Sequence, residues 1–312
     1  MGAPVEFGIY VPQLAFGFDD MLSRALLCEE LGFDSFWLYD HLYGPGMPDV
    51  PALEGWTLAT ALLARTTTLR VGHLVLNASF RNPVLLGKMA TTLDVISGGR
   101  LELGIGSGSY ELEHREAGFE WGTLRERTER LSESLEILTQ MFAGGRTSLA
   151  GTHYRADNFP NVPAPVQTPR PRIHVGGVGE RFTLPLVAQY ADVWNVPTYG
   201  LGRWESLVGA LGSECERIGR DPASVLRALE AVLVLAPDEA SLAPLRARAE
   251  RRFPGPGWGL EEGGFIGTAP AIVDRIGAQA DKGVGLFVFF LHDRGEPGTL
   301  RLLAEEVVPH FA

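Results

Sequence analysis

The sequence predicts an α/β protein, a single (β/α)8 TIM barrel over residues 1–312, and three observations lead there. Short β-branched or aromatic runs alternate with longer segments of helical period in eight successive units, the signature of βαβ repeats and a parallel sheet. Most of the strand runs are continuously apolar, as parallel strands covered on both faces require. No G-x-G-x-x-G opens a unit, so closure into a barrel is favoured over a doubly wound open sheet.

The strand candidates, in order, are Glu6–Tyr10, Ser35–Leu38, Leu69–Leu76, Arg100–Ile105, Arg172–Val175, Asp192–Val196, Ala228–Leu235 and Leu286–Phe290. Between the third and fourth, Asn82 reads as an N-cap before Pro83, and Gly98-Gly99 closes the helix that passes through Leu93. After the fourth, Thr123 and Glu126 fit a capping box, and Leu124, Leu131, Leu135, Leu138 and Phe142 recur on one helical face. Residues 144–171 interrupt the alternation. Arg146–Leu149 and His153–Arg155 flank Ala150-Gly151 as a hairpin, followed by a proline-rich passage, and read as an insertion between units four and five. Phe253 to Gly267 is rich in glycine and proline and reads as an irregular, mobile loop over the barrel mouth. No composition shift or long polar linker divides the chain, so a single domain is expected.

Bulk properties narrow the function. A chain of 312 residues that is 45% hydrophobic and 21% charged can bury a large core. The formal net charge of −11 and pI near 5.2 give no electrostatic support for binding nucleic acid. The longest apolar run, Leu286 to Leu291, falls far short of the roughly 18 residues that would span a bilayer. The amino-terminal segment has no basic leader and reads as a first strand, so no membrane association and a cytoplasmic location are expected. Cys28 and Cys215 are far apart and read as buried thiols. The seven histidines show no metal-ligand spacing, and no metal is expected.

Barrels of this kind carry their working residues at the carboxyl ends of the strands. That rule selects Asp40 and His41 after strand two, Asn77 to Arg81 after strand three, Gly106 to Glu113 after strand four and Gly176 to Arg181 after strand five. A histidine at the mouth can polarise or deprotonate a substrate, though it can equally serve only to bond a loop. Gly104-Ile105-Gly106-Ser107-Gly108-Ser109 ends a strand in small residues that let backbone approach a flat ligand or a phosphate, or simply make a tight turn. Gly176-Gly177-Val178-Gly179-Glu180-Arg181 presents N–H groups to an anion at a helix start, without the spacing of a P-loop or Rossmann turn. A G-x-S-x-G elbow is absent, so a Ser-His-Asp hydrolase is poorly supported.

Asp40-His41, SFRNPVLLGKMATTLDVISGGRLELGIGSGSYELEH (Ser79–His114) and HVGGVGERFTLPLVAQYADVWN (His174–Asn195) together resemble the luciferase-like (LLM class) flavin-dependent oxidoreductases. Within them the chain is similar to the branch that uses the deazaflavin coenzyme F-420. The resemblance extends from Glu54 to Asn195, and the last third is similar in layout only, apart from Gly267-Thr268 before the penultimate helix. It implies a cofactor lying across the strand ends, with Asp40 and His41 beside the ring as catalytic residues. It also implies a bulge after strand three, often with a non-prolyl cis peptide, that backs the ring at Leu74 and Val75, with Asn77 just beyond. Gly106, Ser107 and Gly108 would flank the ring and ribityl chain, and Gly176, Gly177, Val178 and Gly179 the tail and its phosphate. Sugar-phosphate dehydrogenases of this superfamily place a catalytic Glu directly after the G-x-G turn. This chain has Ser109 there, with Glu111 and Glu113 the nearest carboxylates, which points away from that substrate class.

The expected function is therefore hydride transfer between coenzyme F-420 and a small organic substrate, with the protein supplying orientation and exclusion of water. The alternatives are an FMN-dependent two-component monooxygenase fed by a flavin reductase, and a non-catalytic flavin-binding barrel. The substrate pocket is expected from residues 42–52, 196–202 and 253–266, with Arg81, Lys88 and Arg181 offering local positive charge. A homodimer is compatible with all three readings.

Overall fold

The computed structural model describes residues 5–255, 258, 260 and 263–311. In chain order the strands are β1 (Glu6–Tyr10), β2 (Ser35–Leu38), β3 (Arg70–His73), β4 (Leu76–Asn77), β5 (Leu101–Gly106), β6 (Arg146–Ala150), β7 (Arg155–Pro160), β8 (Arg172–Gly176), β9 (Val193–Pro197), β10 (Leu226–Ala236), β11 (Phe265–Thr268) and β12 (Leu286–Leu291). The helices are α1 (Phe18–Glu30), α2 (Gly55–Arg65), α3 (Pro83–Ser97), α4 (Glu111–Glu116), α5 (Leu124–Ala143), α6 (Thr183–Tyr190), α7 (Trp204–Arg217), α8 (Glu239–Arg252), α9 (Ala269–Ala280) and α10 (Pro297–Glu306). The barrel order is β1-β2-β3-β5-β8-β9-β10-β12, all parallel, and β12 pairs back onto β1. Closure removes the open-sheet alternative.

Local signals explain the elements. The Asn82 side chain accepts from the N–H groups of Val84 and Leu85, Pro83 opens α3, and Gly98 ends it at φ 67°. Thr123 and Glu126 form the reciprocal capping box of α5. Leu131, Leu135, Leu138 and Phe142 of that helix are buried, whereas Leu124, in its first turn, is exposed. β6 and β7 pair antiparallel as the inserted hairpin, and the Glu133 carboxylate of α5 accepts from the N–H groups of Thr152, His153 and Tyr154 at its turn. His153 thus lies in the turn, and the second strand begins only at Arg155.

Two expectations are revised. The run Leu69–Leu76 is two strands, β3 and β4, with Leu74 and Val75 between them in neither, and the peptide joining those two residues is cis. Phe253–Gly267 is not irregular throughout. Phe265, Ile266, Gly267 and Thr268 form β11, parallel to Leu233–Ala236 of β10. Residues 256, 257, 259, 261 and 262 of the expected mobile loop lie outside the described residues.

The strand period of two divides the core into an outer and an inner layer. Ile9, Phe36, Leu38, Leu103, Ile105, Val175 and Phe289 face the helices, while Tyr10, Trp37, Val193, Val288 and Phe290 face inward. Cys28 and Cys215 are buried free thiols. The lower barrel is charged inside. Glu102 of β5 is fully buried, 2.6 Å from both His174 Nε2 and Arg172 Nη2, and is also bonded by Arg70. Arg172 reaches on to Glu6 at 2.8 Å. Gly104 sits on the same inward face, where an added Cβ would overlap the backbone carbonyl oxygen of His73. Gly104→Ala is therefore expected to destabilise the barrel by at least about 1–3 kcal/mol, measured by denaturant unfolding.

Candidate active site

A cavity of about 560 Å³ opens at the carboxyl ends of the barrel strands. Its walls include Asp40, His41, Leu74, Val75, Asn77, Gly106, Ser107, Gly108, Gly176, Gly177, Val178 and Gly179. Residues at the ends of β2, β4, β5 and β8 are thus brought to one cavity, whereas Ala78, Ser79, Arg81, residues 110–113, Glu180 and Arg181 of the selected stretches do not line it.

Asp40 is buried, and its carboxylate is fully engaged. It pairs bidentately with Arg81 at 2.7 and 2.8 Å and accepts from the Asn77 N–H at 2.8 Å. Arg81 extends the chain to Glu54, 2.7 Å away, whose carboxylate caps α2. A carboxylate so occupied is suited to fixing the mouth rather than to exchanging protons. Asn77 is fixed as well. Its Oδ1 accepts from the Ser79 N–H, and its Nδ2 donates to His114 Nε2 at 2.9 Å.

His41 is arranged differently. Its Nδ1 lies 2.8 Å from Glu113 Oε2, and the other oxygen of that carboxylate is bonded by the Leu42 N–H. A carboxylate accepts, so Nδ1 carries the proton that it donates to Glu113, which leaves Nε2, with no protein partner among the described residues, to accept in the neutral ring. Glu113, on α4, is fully buried, whereas His41 retains access to the cavity. Beside it, burial and the Glu113 charge push the Tyr39 phenol up to about 12.

The opposite wall is built of glycine. Val75 projects between β5 and β8, and a Cβ on Gly106 would lie 2.7 Å from its Cγ2. Gly108 adopts φ 84° and Gly177 φ 122°, conformations open to glycine at little cost. Val178 and Gly179 lead into α6 with N–H groups unpaired among the described residues. This is the environment a phosphate needs.

Other expectations are corrected. None of residues 42–52 lines the cavity; Pro197, Thr198, Tyr199 and Trp258 do, joined by Glu230, Ala231, Val232 and Phe290. Arg81 is spent on Asp40 and Glu54, Lys88 bonds the Val162 carbonyl, and Arg181 lies over the Phe182 ring at 5.1 Å. None of the three lines the cavity. Sequence reasoning missed two carboxylates with a bearing on the site. Glu113 was named at the end of the stretch after strand four and as a carboxylate near the G-x-G turn, with no link to His41. Glu230 lay inside the apolar run Ala228–Leu235, where a lone charged residue in a core strand is itself a signal.

The chain is 30% identical over its full length to a protein of Microbacterium testaceum named F-420-dependent glucose-6-phosphate dehydrogenase, covering 98% of that relative. An F-420-dependent secondary alcohol dehydrogenase in complex with an F-420-acetone adduct superposes with a TM-score of 0.83, at 17% identity, over 99% of this chain and 100% of that one. A riboflavin lyase with modified FMN and riboflavin also reaches 0.83, at 16% identity, over 98% and 91%. The model of the luciferase-like monooxygenases matches residues 3–288, from the first strand into the last, and with the full-length relative it makes this chain a member of that family.

Proposed function

We propose that this protein is an oxidoreductase that uses coenzyme F-420 to exchange a hydride with a small organic substrate. The observation that carries the reading is His41, held by Glu113 at the edge of a cavity whose far wall is a glycine cradle. The cradle fits a flat ring with a phosphorylated tail, because side chains at Gly106 and Gly108 would fill the space beside Val75 and Asn77. When bound there, the deazaflavin supplies the hydride-accepting or hydride-donating carbon. Gly176, Gly177, Val178 and Gly179 hold the tail, while Leu74 and Val75 back the ring and Asp40 fixes the surrounding loops. His41 Nε2 takes the proton of a substrate hydroxyl as it is oxidised, or returns it in the reverse direction, and Glu113 steadies the resulting imidazolium. The full-length relative named for F-420 supports this cofactor over FMN.

Calorimetric titration with F-420 and FMN at matched salt tests the reading. F-420 is expected to bind more tightly. FMN binding tenfold tighter, about 1.4 kcal/mol, would move the protein to the FMN-dependent monooxygenases that work with a separate reductase. A cytoplasmic setting and a homodimer belong to the same proposal, and sedimentation of the purified chain tests the latter. No helix among the described residues is long and apolar enough to cross a membrane.

A further inference from the structure

Besides the phenols of Tyr39 and Tyr199, three ionisable side chains, Asp40, His41 and Glu230, line the cavity among the described residues. Asp40 is neutralised by Arg81 and His41 is held by Glu113. Glu230 has no cationic partner among the described residues. It sits on the inward face of β10, in register with Pro197 of β9 and Val288 of β12. Its nearest donor is the Asn195 amide, 3.5 Å away, and its own carbonyl accepts from the Thr198 hydroxyl at 2.7 Å. The titratable groups facing it are the phenols of Tyr10, from β1, and Tyr199, from the turn after β9, and its charge helps to raise both. Burial pushes the Glu230 carboxyl up to about 7. No lysine or arginine lines the cavity among the described residues, and much of the wall near Glu230 is aromatic, with Tyr39, Tyr199, Trp258 and Phe290.

An anion placed against the Glu230 wall, away from the N–H groups of the Gly176–Gly179 turn, would meet a like charge and no counter-ion to offset its desolvation. A hydroxyl or an ammonium group would instead find an acceptor set in an apolar wall, the usual arrangement for orienting a small ligand. We propose that Glu230 anchors and selects the substrate, admitting neutral or cationic molecules with a hydroxyl or amino donor and rejecting phosphorylated or carboxylated ones. This rests on the oxidoreductase reading above and narrows it. A sugar phosphate, the substrate class in the name of the full-length relative, falls on the rejected side.

The test uses the full chain loaded with F-420 and titrated with benzylamine, benzyl alcohol, benzoate and glucose 6-phosphate at pH 6 and pH 8, followed by tryptophan fluorescence. At pH 8 benzylamine is expected to bind about tenfold or more tightly than benzoate, and glucose 6-phosphate to show no saturation. At pH 6 Glu230 takes up a proton and the gap narrows. In Glu230→Gln the gap shrinks to within about threefold at both pH values. Benzoate or glucose 6-phosphate binding as tightly as benzylamine to the unaltered protein at pH 8 overturns the proposal. So does failure of benzylamine to bind, or a gap that survives in Glu230→Gln. If that variant folds poorly, the two pH values in the unaltered protein carry the test alone. F-420 binding is recorded before the probes are added, so loss of the coenzyme reading and loss of the charge preference are seen separately.

Discussion

Glu102→Ala is expected to lower the unfolding free energy by about 3–5 kcal/mol, the cost of leaving buried cations without their counter-charge. Arg172, Arg70 and His174 all converge on this carboxylate, whose side chain is fully buried. Burial alone would raise its pKa. The hydrogen bond from His174 and the charges of Arg172 and Arg70 outweigh burial and hold it well below the ordinary 4.5. The sign of the pH effect follows. A carboxyl whose folded pKa is depressed contributes stability in full above its unfolded value and loses it as pH falls towards the folded one. Unfolding midpoints should therefore be steady near neutrality and drop below about pH 4.5, and Glu102→Ala should flatten that acid limb. A variant within about 0.5 kcal/mol of the parent at pH 7 would show that the network is not what closes the lower barrel.

His41→Ala is expected to reduce turnover by about 100-fold, the usual contribution of a positioned general acid or base, while lowering stability by only about 1–3 kcal/mol, the cost of leaving the buried Glu113 carboxylate one partner short. Its side chain is partly open to the cavity and contributes little to packing. Glu113→Gln, which keeps the shape of the partner but not its charge, should lower turnover by about tenfold and shift the pH profile of the remaining activity. Hydride transfer is followed through the coenzyme's absorbance with any substrate the loaded enzyme turns over. Unchanged turnover in His41→Ala would make His41 a loop residue and move the chemistry elsewhere.

Most of the barrel was legible because its signals are local. Asn82, Pro83 and Gly98 bracket α3, Thr123 and Glu126 start α5, and unbroken apolar runs mark the covered strands. The rule that function gathers at strand ends found Asp40, His41 and the two glycine turns. What escaped was decided by side chains far apart in sequence. Glu113 meets His41 across 72 positions, and Arg81 meets Asp40 across 41, so neither partnership leaves a trace in spacing. β11 was missed because Phe265 to Thr268 is four residues long behind a glycine-rich passage, and only its pairing with β10 makes it a strand. Glu230 was hidden by the smoothness of the run around it. A strand read as uniformly apolar conceals the one charged residue that it contributes to the cavity wall, beside Ala231 and Val232.

The two oxygens of Glu113 are divided between the His41 ring and the Leu42 backbone, so the segment after β2 and the helix carrying Glu113 share a single fastening. Neither can swing outward without exposing a buried carboxylate and releasing the other, so the two should open as one cooperative unit on the hydrogen-exchange timescale. Slow, matched exchange of the Leu42 amide and the amides of α4 would be its signature. A ligand that stiffens this corner by touching His41 would then quieten a helix it never reaches.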